Sequence, residues 1–419
     1  MIFNFFKRKK IHNLEQKDFH LLDPMAVDIV SDLQEAGHDA YLVGGCVRDI
    51  LLGLKPKDFD IATSAKPEDV KRRVRRSQII GRRFRIVLAR RNSRTSHSDS
   101  SHQLFPSFDH SPIHEYQITT YRREPIMEDG RLNENVYGDI RQDAFRRDFT
   151  LNALYLDPNK RKILDFTGGY EDIKARRLKV IGNPAARFQE DPIRIFRAIR
   201  FLYRTKSQWD PKTFSDLEKM LPQLKKAKTQ RLREEILKAW REGASSNVFS
   251  FLLEKGIWGY LAPLYAGKWA RDPNYHKNSL DLAKAVEHHP WYQSKVATPF
   301  IFFMSYDYWM RHSVHDRNRF EELFQILNVS KYERHDIMRI ASVLRKMRQE
   351  RFENAPKLLN KVNPFLYHMN SQCFYILSIL SHARVDGFEG AWKKVSEQWK
   401  TYLDKSRKIL LYRDKNHKT

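Results

Sequence analysis

The chain has 419 residues and a formal net charge of +25, with 41% apolar and 12% aromatic residues. This length predicts about two to four domains, and the apolar fraction excludes a disordered chain. The charge excess favours a polyanionic partner through phosphate contacts, with a basic solvated surface that has no such partner as the alternative.

Membrane, secreted and disulfide-rich classes are not supported by the sequence. It contains no apolar run of the roughly 18 residues that a membrane-spanning helix needs. The start, MIFNFFKRKK, places its positive charges after the apolar residues, unlike a secretory signal, and we expect a short frayed terminus there. The two cysteines, Cys46 and Cys373, indicate neither a disulfide framework nor a cysteine zinc site. A reducing cytoplasm fits this composition.

The first part of the chain mixes strand and helix signals. AYLVGG, from Ala40, predicts a strand ended by paired glycines, and CVRDILLG predicts a short helix closed by Gly53. DFDIAT follows as a strand, KPEDVKRRVRRS as a basic helix, and FRIVLAR and HEYQITTYRRE as two further strands. Between these last two strands, residues 91–114 are rich in Ser and His. They predict a long mobile loop rather than a metal-binding histidine cluster.

From about residue 185 the strand signals fade and helical periodicity dominates. DPIRIFRAIRFLYR places Ile195, Ile199 and Leu202 on one apolar face, and TQRLREEILKAWREG predicts a second helix that ends at Gly243. The predicted fold class is therefore α+β, with a small mixed-sheet head followed by an all-α neck and body. The predicted divisions are an N-terminal extension 1–30, a head 31–170, a neck 171–245, and a body with a basic tail 246–419.

The stretch KPKDFDIATS contains two carboxylates, Asp58 and Asp60, on either side of Phe59. Residues two apart on a strand point to the same face, so the carboxylates aim together while Phe59 packs. Close ionised carboxylates repel each other unless a cation lies between them, and Mg²⁺ takes one or two carboxylates plus substrate phosphates. Two such ions can hold the attacking and leaving oxygens of a phosphoryl displacement. An Asp-x-Asp pair by itself is more often an exposed turn.

Paired glycines upstream give a second indication of phosphate chemistry. Gly44 and Gly45 end a strand just before a helical turn, where the backbone can approach phosphates and free N–H groups bind anions. Arg48 lies one turn along, with a guanidinium that can bind a phosphate at two points. An ordinary strand-to-helix turn with a solvated arginine is the alternative interpretation.

Four blocks of the sequence together resemble one family. They are YLVGGCVRDILLGLKPKDFDIAT, DAFRRDFTLNALYLD, ILDFTGGYEDIKARRLKVIGNPAARFQEDPIRIFRAIRF and QRLREEILKAW. In this order and spacing, over about residues 35–245, they resemble the class II nucleotidyltransferase superfamily of bacterial poly(A) polymerases and tRNA nucleotidyltransferases, the CCA-adding enzymes. The resemblance implies a head of the polymerase β type, with RNA 3′ ends of single-stranded RNA or tRNA as acceptors.

The resemblance also implies roles for individual residues. Asp58 and Asp60 would hold two Mg²⁺ ions, and Asp148 would complete the catalytic carboxylates. Asp191 and Arg194, in a helix predicted over 190–200, would read the base of the incoming nucleotide as acceptor and donors. The residues that the resemblance assigns to nucleotide binding are Gly44, Gly45 and Arg48 at the triphosphate, with Arg147, Asp191, Arg194 and Arg197.

The product of the reaction is harder to predict. IIGRRFRIV, residues 79–87, and NVYGDIRQDAFRRDFT are similar to the poly(A) polymerase branch, whereas CCA-adding relatives more often differ at Arg85. With the high positive charge, this favours addition of AMP from ATP to RNA 3′ ends, and CCA addition is the alternative. A third possibility is an RNA-binding protein with a weakened or inactive head, because the family usually has a Glu where QITTYR has Gln117.

Overall fold

The computed structural model describes residues 9–81, 85–90, 115–124, 126–128, 131–133, 136–264, 266–267 and 317–349, with the single residues 376 and 380. The loop predicted over 91–114 lies outside the described residues. One compact unit holds the described residues up to Arg194 together with Thr205–Met220, and a second holds Ile195–Arg204 and the described residues from Leu221 onward. The domain boundaries predicted at residues 30, 170 and 245 stay predictions.

The first unit is built on an eight-stranded mixed sheet, which confirms the predicted α+β class. The strands of this unit, in chain order, are β1 (Lys10–Asn13), β2 (Ala40–Val43), β3 (Phe59–Thr63), β4 (Ser77–Ile80), β5 (Ile86–Arg90), β6 (Glu115–Thr120), β7 (Ile126–Glu128), β8 (Arg131–Asn133), β9 (Leu154–Asp157), β10 (Lys162–Asp165), β11 (Arg177–Leu178) and β12 (Gln208–Trp209). The spatial order of the large sheet is β1-β10-β9-β2-β3-β6-β5-β4. Its neighbouring strands are antiparallel except for the parallel pair β3–β6.

Both units contain helices. In chain order they are α1 (Pro24–Glu35), α2 (Gly45–Leu51), α3 (Pro67–Arg73), α4 (Ile140–Arg146), α5 (Gly169–Lys174), α6 (Pro184–Glu190), α7 (Ile193–Arg204), α8 (Pro211–Met220), α9 (Thr229–Arg241), α10 (Ser245–Glu254), α11 (Ile257–Leu261), α12 (Arg317–Ile326) and α13 (Lys331–Gln349). None of the described helices is both long and apolar enough to cross a membrane.

Local sequence signals explain several of these element ends. The side chain of Asp23 accepts a hydrogen bond from the Ala26 amide at 3.1 Å and so caps the start of α1. Asp139 and Gln142 form a reciprocal capping box at the start of α4. Gly243, with φ +73°, follows the end of α9, as the sequence predicts.

The register of three strands fixes one end of the sheet. Asp60 on β3 lies opposite Val43 on β2 and opposite Gln117 on β6. Beneath this end, a buried cluster contains Val43 and Ala62 with the aromatic rings of Tyr121 and Tyr155. Because buried aromatic packing holds the three strands together, the side chains at their ends are presented on a rigid support.

Candidate active site

The two carboxylates of KPKDFDIATS lie where β3 begins. Asp60 is within the strand and half-buried, Phe59 is buried, and Asp58 is exposed. The prediction that both aspartates belong to the strand is wrong for Asp58, which comes immediately before it. The reason is that the ladder between β2 and β3 runs from Ala40↔Thr63 to Val43↔Asp60, and Gly44 then turns away from it.

Gly44 lies beside both a carboxylate and a guanidinium. It precedes α2 with φ +77° and ψ −126°, a conformation that L side chains rarely adopt. A Cβ atom built on Gly44 would lie 3.6 Å from Nη1 of Arg147 and 3.8 Å from Oδ2 of Asp60. The structure therefore places Gly44, Asp60 and Arg147 side by side, although they are distant in sequence.

A buried carboxylate holds Arg147 in this position. Nη2 of Arg147 donates to Oδ2 of Asp143 at 2.8 Å, and the hydroxyl of Tyr155 donates to the same oxygen at 2.7 Å. Burial acts to raise the pKa of Asp143, but the positive charges of Arg147 and Arg146 outweigh it and hold that pKa well below its usual range. Asp143 therefore stays ionised, and the guanidinium beside Gly44 has a fixed orientation.

Asp148 and Arg48 belong to one hydrogen-bonded chain. Oδ1 of Asp148 accepts from the Phe149 amide at 2.8 Å and from Nδ2 of Asn152 at 3.2 Å. Oδ1 of Asn152 accepts from Nη1 of Arg48 at 2.7 Å, and Asp49 accepts from the other side of the same guanidinium. Arg48 is 4% exposed, so Asp49 neutralises a charge that would otherwise be costly to bury. Its contact with a triphosphate stays a prediction.

The helix predicted over 190–200 is interrupted, and Asp191 lies outside it. α6 ends at Glu190, Asp191 is extended at φ −140°, and α7 begins at Ile193. Pro192 explains the break, because proline disfavours the helical conformation in the residue before it and cannot donate a helical hydrogen bond. Arg194 is on α7, where its Nη1 donates to Glu190 at 2.6 Å. Because Asp191 lies outside both helices, the two residues do not share a helix face.

Arg197, in the second unit, is engaged by a buried glutamate. Its Nη1 donates to Oε1 of Glu235 at 3.0 Å, and Nε of Arg200 donates to Oε2 at 2.8 Å. Burial opposes ionisation of Glu235, but the two arginines and Lys238 lower its pKa overall. This pair fastens α7 to α9. The contact of Arg197 with a nucleotide stays a prediction.

Gln117 is the direct neighbour of Asp60 across the parallel β3–β6 pair. Both side chains point to the same face, because opposite residues of a ladder share a face. Glu115, two residues earlier, binds Nε of Arg90 at 3.0 Å across the β5–β6 pair. The position closest to Asp60 on β6 is thus a neutral amide, and the nearby carboxylate is paired with an arginine.

The sequence interpretation did not single out four residues that organise this site. They are Asp49, Asp143, Asn152 and Tyr155. One signal was available: Asp143 and Arg147 are four residues apart in DAFRRDFT, the spacing at which side chains pair along a helix. The contacts of Asn152 and Tyr155 join separate elements and have no comparable local signature.

The oxygen donors at the start of β3 fit Mg²⁺. Asp58, Asp60 and the side-chain amide of Gln117 offer the hard oxygen ligands that this ion prefers. Within the described part of the chain, His, Cys, Asp and Glu form no group of three that could hold a metal alone. A site with two carboxylates therefore suits an ion that completes its shell with water and substrate phosphates.

Two segments of the chain match known domain families. Residues 40–179 match the family described as "Poly A polymerase head domain", and residues 208–267 match "Probable RNA and SrmB- binding site of polymerase A". Residues 40–179 are therefore similar to the head domain of poly(A) polymerases. This confirms the resemblance found in the four sequence blocks.

Relatives of both branches of this nucleotidyltransferase superfamily are similar to the chain. It is 36% identical to Poly(A) polymerase I of Haemophilus influenzae over 247 residues, 57% of this chain and 51% of that protein. It is 34% identical to the CCA-adding enzyme of Ligilactobacillus salivarius over 247 residues, 58% of this chain and 56% of that protein. The chain thus spans about half the length of the curated relatives that it matches.

Solved nucleotidyltransferase structures share the fold of the chain. The Bacillus stearothermophilus CCA-adding enzyme in complex with CTP has a TM-score of 0.59 at 22% identity, over 90% of this chain and 83% of that chain. The Thermotoga maritima CCA-adding enzyme complexed with tRNA has a TM-score of 0.57 at 19% identity, over 91% and 84%. At these identities the likeness concerns the fold.

Proposed function

We propose that the chain is a template-independent polynucleotide adenylyltransferase, which adds AMP from ATP to RNA 3′ ends. The RNA 3′-hydroxyl oxygen forms a bond to the α-phosphorus of ATP, pyrophosphate leaves, and the hydroxyl proton is released. The observation that carries this proposal is the meeting of Gly44, Asp60 and Arg147. Because Gly44 has no side chain, its backbone can approach a phosphate at a point that adjoins both a carboxylate and a fixed guanidinium.

Each residue of the site has a proposed task. Two Mg²⁺ ions held by Asp58 and Asp60 would lower the pKa of the 3′-hydroxyl and neutralise the leaving group. Arg147 offers positive charge to the phosphates from an orientation fixed by Asp143, so little reorganisation is needed when negative charge develops. Asp148 supplies a further carboxylate, oriented by the Phe149 amide and the Asn152 side chain.

Nucleotide binding is proposed for the remaining predicted residues. Gly45 begins α2 directly after Gly44, where backbone N–H groups favour an anion, and Arg48 follows three residues later in the same helix. Asp191 offers an acceptor and Arg194 a set of donors for the edge of an adenine. Arg197 is proposed to support the same nucleotide from α7, with its guanidinium oriented by Glu235.

RNA as the acceptor is supported by two observations. The match of residues 208–267 is to an RNA-binding region of a polymerase, and the net charge of +25 suits a phosphate backbone. Cytoplasmic location is part of the same proposal, since the substrates would be cytoplasmic RNAs. Poly(A) polymerases and CCA-adding enzymes are similar to the chain at the same 34–36% identity, so the preference for AMP addition rests on the stretches IIGRRFRIV and NVYGDIRQDAFRRDFT.

One experiment separates the candidate activities. The purified chain is incubated with a single-stranded RNA or a tRNA lacking its CCA end, with Mg²⁺ and each nucleoside triphosphate separately or mixed. Long products from ATP alone support the proposal. A short CCA addition to the tRNA from CTP and ATP would instead identify a CCA-adding enzyme.

A weakened head is the second candidate function, because Gln117 lies beside Asp60 where a carboxylate would be expected from the family. The chain would then bind RNA without extending it. Absence of extension with every nucleotide, together with measurable RNA binding by the same preparation, would favour this candidate.

A further inference from the structure

The last turn of α3 and the turn that follows it carry four exposed cations: Lys71, Arg73, Arg75 and Arg76. We define these residues as the basic corner. Within the described part of the chain, none of the four pairs with a carboxylate. Neighbouring arginines do pair, since Arg72 binds Asp69, Arg85 binds Glu68 at 2.5 Å, and Arg90 binds Glu115 at 3.0 Å. The described carboxylates of this region therefore pair with other arginines and not with the basic corner.

The sheet register places the basic corner at the same end of the sheet as the catalytic carboxylates. The carbonyl of Arg76 accepts a hydrogen bond from the Arg90 amide, and Arg90 lies opposite Glu115. Glu115 precedes Tyr116, which lies opposite Phe59, so Arg76 is level with Asp58. β4 and β3 are three strand spacings apart, about 14 Å at about 4.8 Å per spacing. An extended RNA strand covers this distance in a few nucleotides.

Local helix electrostatics account for part of the basic corner but not for all of it. Lys71 and Arg73 are in the last turn of α3, where cations stabilise the negative end of the helix dipole. Arg75 and Arg76 come after the helix has ended. Arg76 also adopts φ +53°, a backbone conformation that favours glycine, although its side chain makes no described ion pair. Among the described residues, these two exposed arginines therefore have no ion-pair partner.

We propose that the basic corner binds the phosphates of the acceptor RNA strand, upstream of the 3′ end that lies at Asp58 and Asp60. This inference rests on the proposed function, since it takes RNA as the acceptor. The corner is at the β4 edge of the sheet, so a strand that crosses the end of the sheet passes both the carboxylates and the four cations. Phosphate contacts of this kind hold a strand without reading its sequence.

The test compares two triple variants that remove equal charge from opposite ends of one sheet. The corner variant carries Arg73→Ala, Arg75→Ala and Arg76→Gly. The control variant carries Lys160→Ala, Arg161→Gly and Lys162→Ala in the β9–β10 turn, which the register places at the Thr63 end of β3. Arg161 has φ +56°, so both glycine substitutions occur at a conformation that glycine tolerates. Thermal unfolding checks that both variants are folded.

RNA affinity is measured against salt with a 3′-deoxy single-stranded RNA, which cannot be extended. The slope of log affinity against log salt falls by about 0.7 for each lost phosphate contact to single strands, so the corner variant should lose about 2 from the slope. We expect about tenfold weaker binding at low salt, a higher KM for long RNA and an unchanged KM for ATP. A short oligonucleotide that ends before the corner should bind both variants equally well.

Two results would overturn the inference: a wild-type slope in the corner variant, or an equal loss in the control variant. Binding is read without catalysis, so the proposed function is tested separately. A chain that never extends RNA but loses the slope at the corner keeps this inference and loses the proposed activity. A chain that extends RNA normally, and whose corner variant keeps the wild-type slope, supports the proposed function and contradicts this inference.

Discussion

Replacing Gln117 with Glu tests whether the carboxylate end of β3 holds a cation. The substitution adds one negative charge and almost no volume, directly opposite Asp60 in the ladder. The side chain of Gln117 is exposed, so the change does not disturb the core. If Mg²⁺ binds at Asp58 and Asp60, the new carboxylate is close enough to strengthen that binding.

The expected size follows from the strand spacing. An ion at Asp60 would be about 5 Å from position 117, and a divalent cation attracts one negative charge there by about 1.7 kcal/mol in a water-like dielectric. The Mg²⁺ affinity should therefore rise by roughly tenfold or more. In the metal-free protein the new charge meets Asp60 instead, and we expect a loss of stability of up to about 0.8 kcal/mol, because both groups are solvated.

Gln78 supplies a matched control in the same row of the sheet. It lies opposite Leu88, and Leu88 lies opposite Gln117, so all three side chains share a face with Asp60. Gln78→Glu makes the same chemical change about 14 Å from Asp60, beyond the Debye length of about 8 Å at physiological salt. We expect less than about a threefold change in Mg²⁺ affinity for this control.

Titration calorimetry with Mg²⁺ alone and RNA extension rates provide the two measurements. Glu115→Gln should leave both nearly unchanged, because Glu115 is paired with Arg90. A wild type that extends RNA poorly and a Gln117→Glu variant that extends it well would identify a weakened head. The reasoning is refuted if Gln117→Glu and Gln78→Glu change the Mg²⁺ affinity equally, or if Gln117→Glu leaves it unchanged.

Three further predictions concern single residues. Asp60→Ala should remove nucleotide addition while the metal-free protein unfolds at the same temperature or higher, because carboxylate repulsion is relieved; near wild-type extension by the folded variant would contradict the metal assignment. Gly169→Ala should cost about 3 kcal/mol or more of unfolding free energy, because its Cβ would lie 2.0 Å from the Thr150 carbonyl oxygen, whereas Gly259→Ala, with open space, should cost little. Asp143→Asn should cost up to about 3–5 kcal/mol at neutral pH, because the partly buried Arg146 and Arg147 lose their buried carboxylate partner. Because the pKa of Asp143 is lowered in the fold, its contribution is present above its unfolded value of about 3.9 and is lost as pH falls through the folded value, so in urea unfolding the deficit of Asp143→Asn should shrink only below about pH 4.

Local patterns in the sequence predicted most of the head elements correctly. β2, β3, β5 and β6 coincide with alternating or continuous apolar runs; burial alternates along β6, whereas β2, β3 and β5 are buried over most of their length. The prediction that failed locally was the helix over 190–200. The apolar periodicity on both sides predicts a continuous helix there. Pro192 interrupts it, because proline disfavours the helical backbone conformation at the preceding residue, Asp191.

The geometry of the site depended on contacts that no local pattern encodes. The parallel pairing of β3 with β6 brings Gln117 beside Asp60 across a large sequence separation. The hydrogen bond between Arg48 and Asn152 joins residues 104 positions apart. Family resemblance assigned the residue types to the site, but it did not show that Arg48 is enclosed by protein partners. Only the tertiary fold decides which charged groups remain open to a substrate.

This distinction changes how the excess positive charge is interpreted. α7 contains four arginines among its 12 residues. Its arginines are engaged by glutamates: Arg194 by Glu190, Arg197 by Glu235, Arg200 by Glu235 and Glu242, and Arg204 by Glu242. Such enclosed pairs are screened little by salt and release few counterions, so they contribute little to a salt-dependent affinity. The basic corner has as many cations as this set, and they are exposed and without described carboxylate partners. The salt dependence of RNA binding should therefore come from the basic corner more than from the arginines of α7.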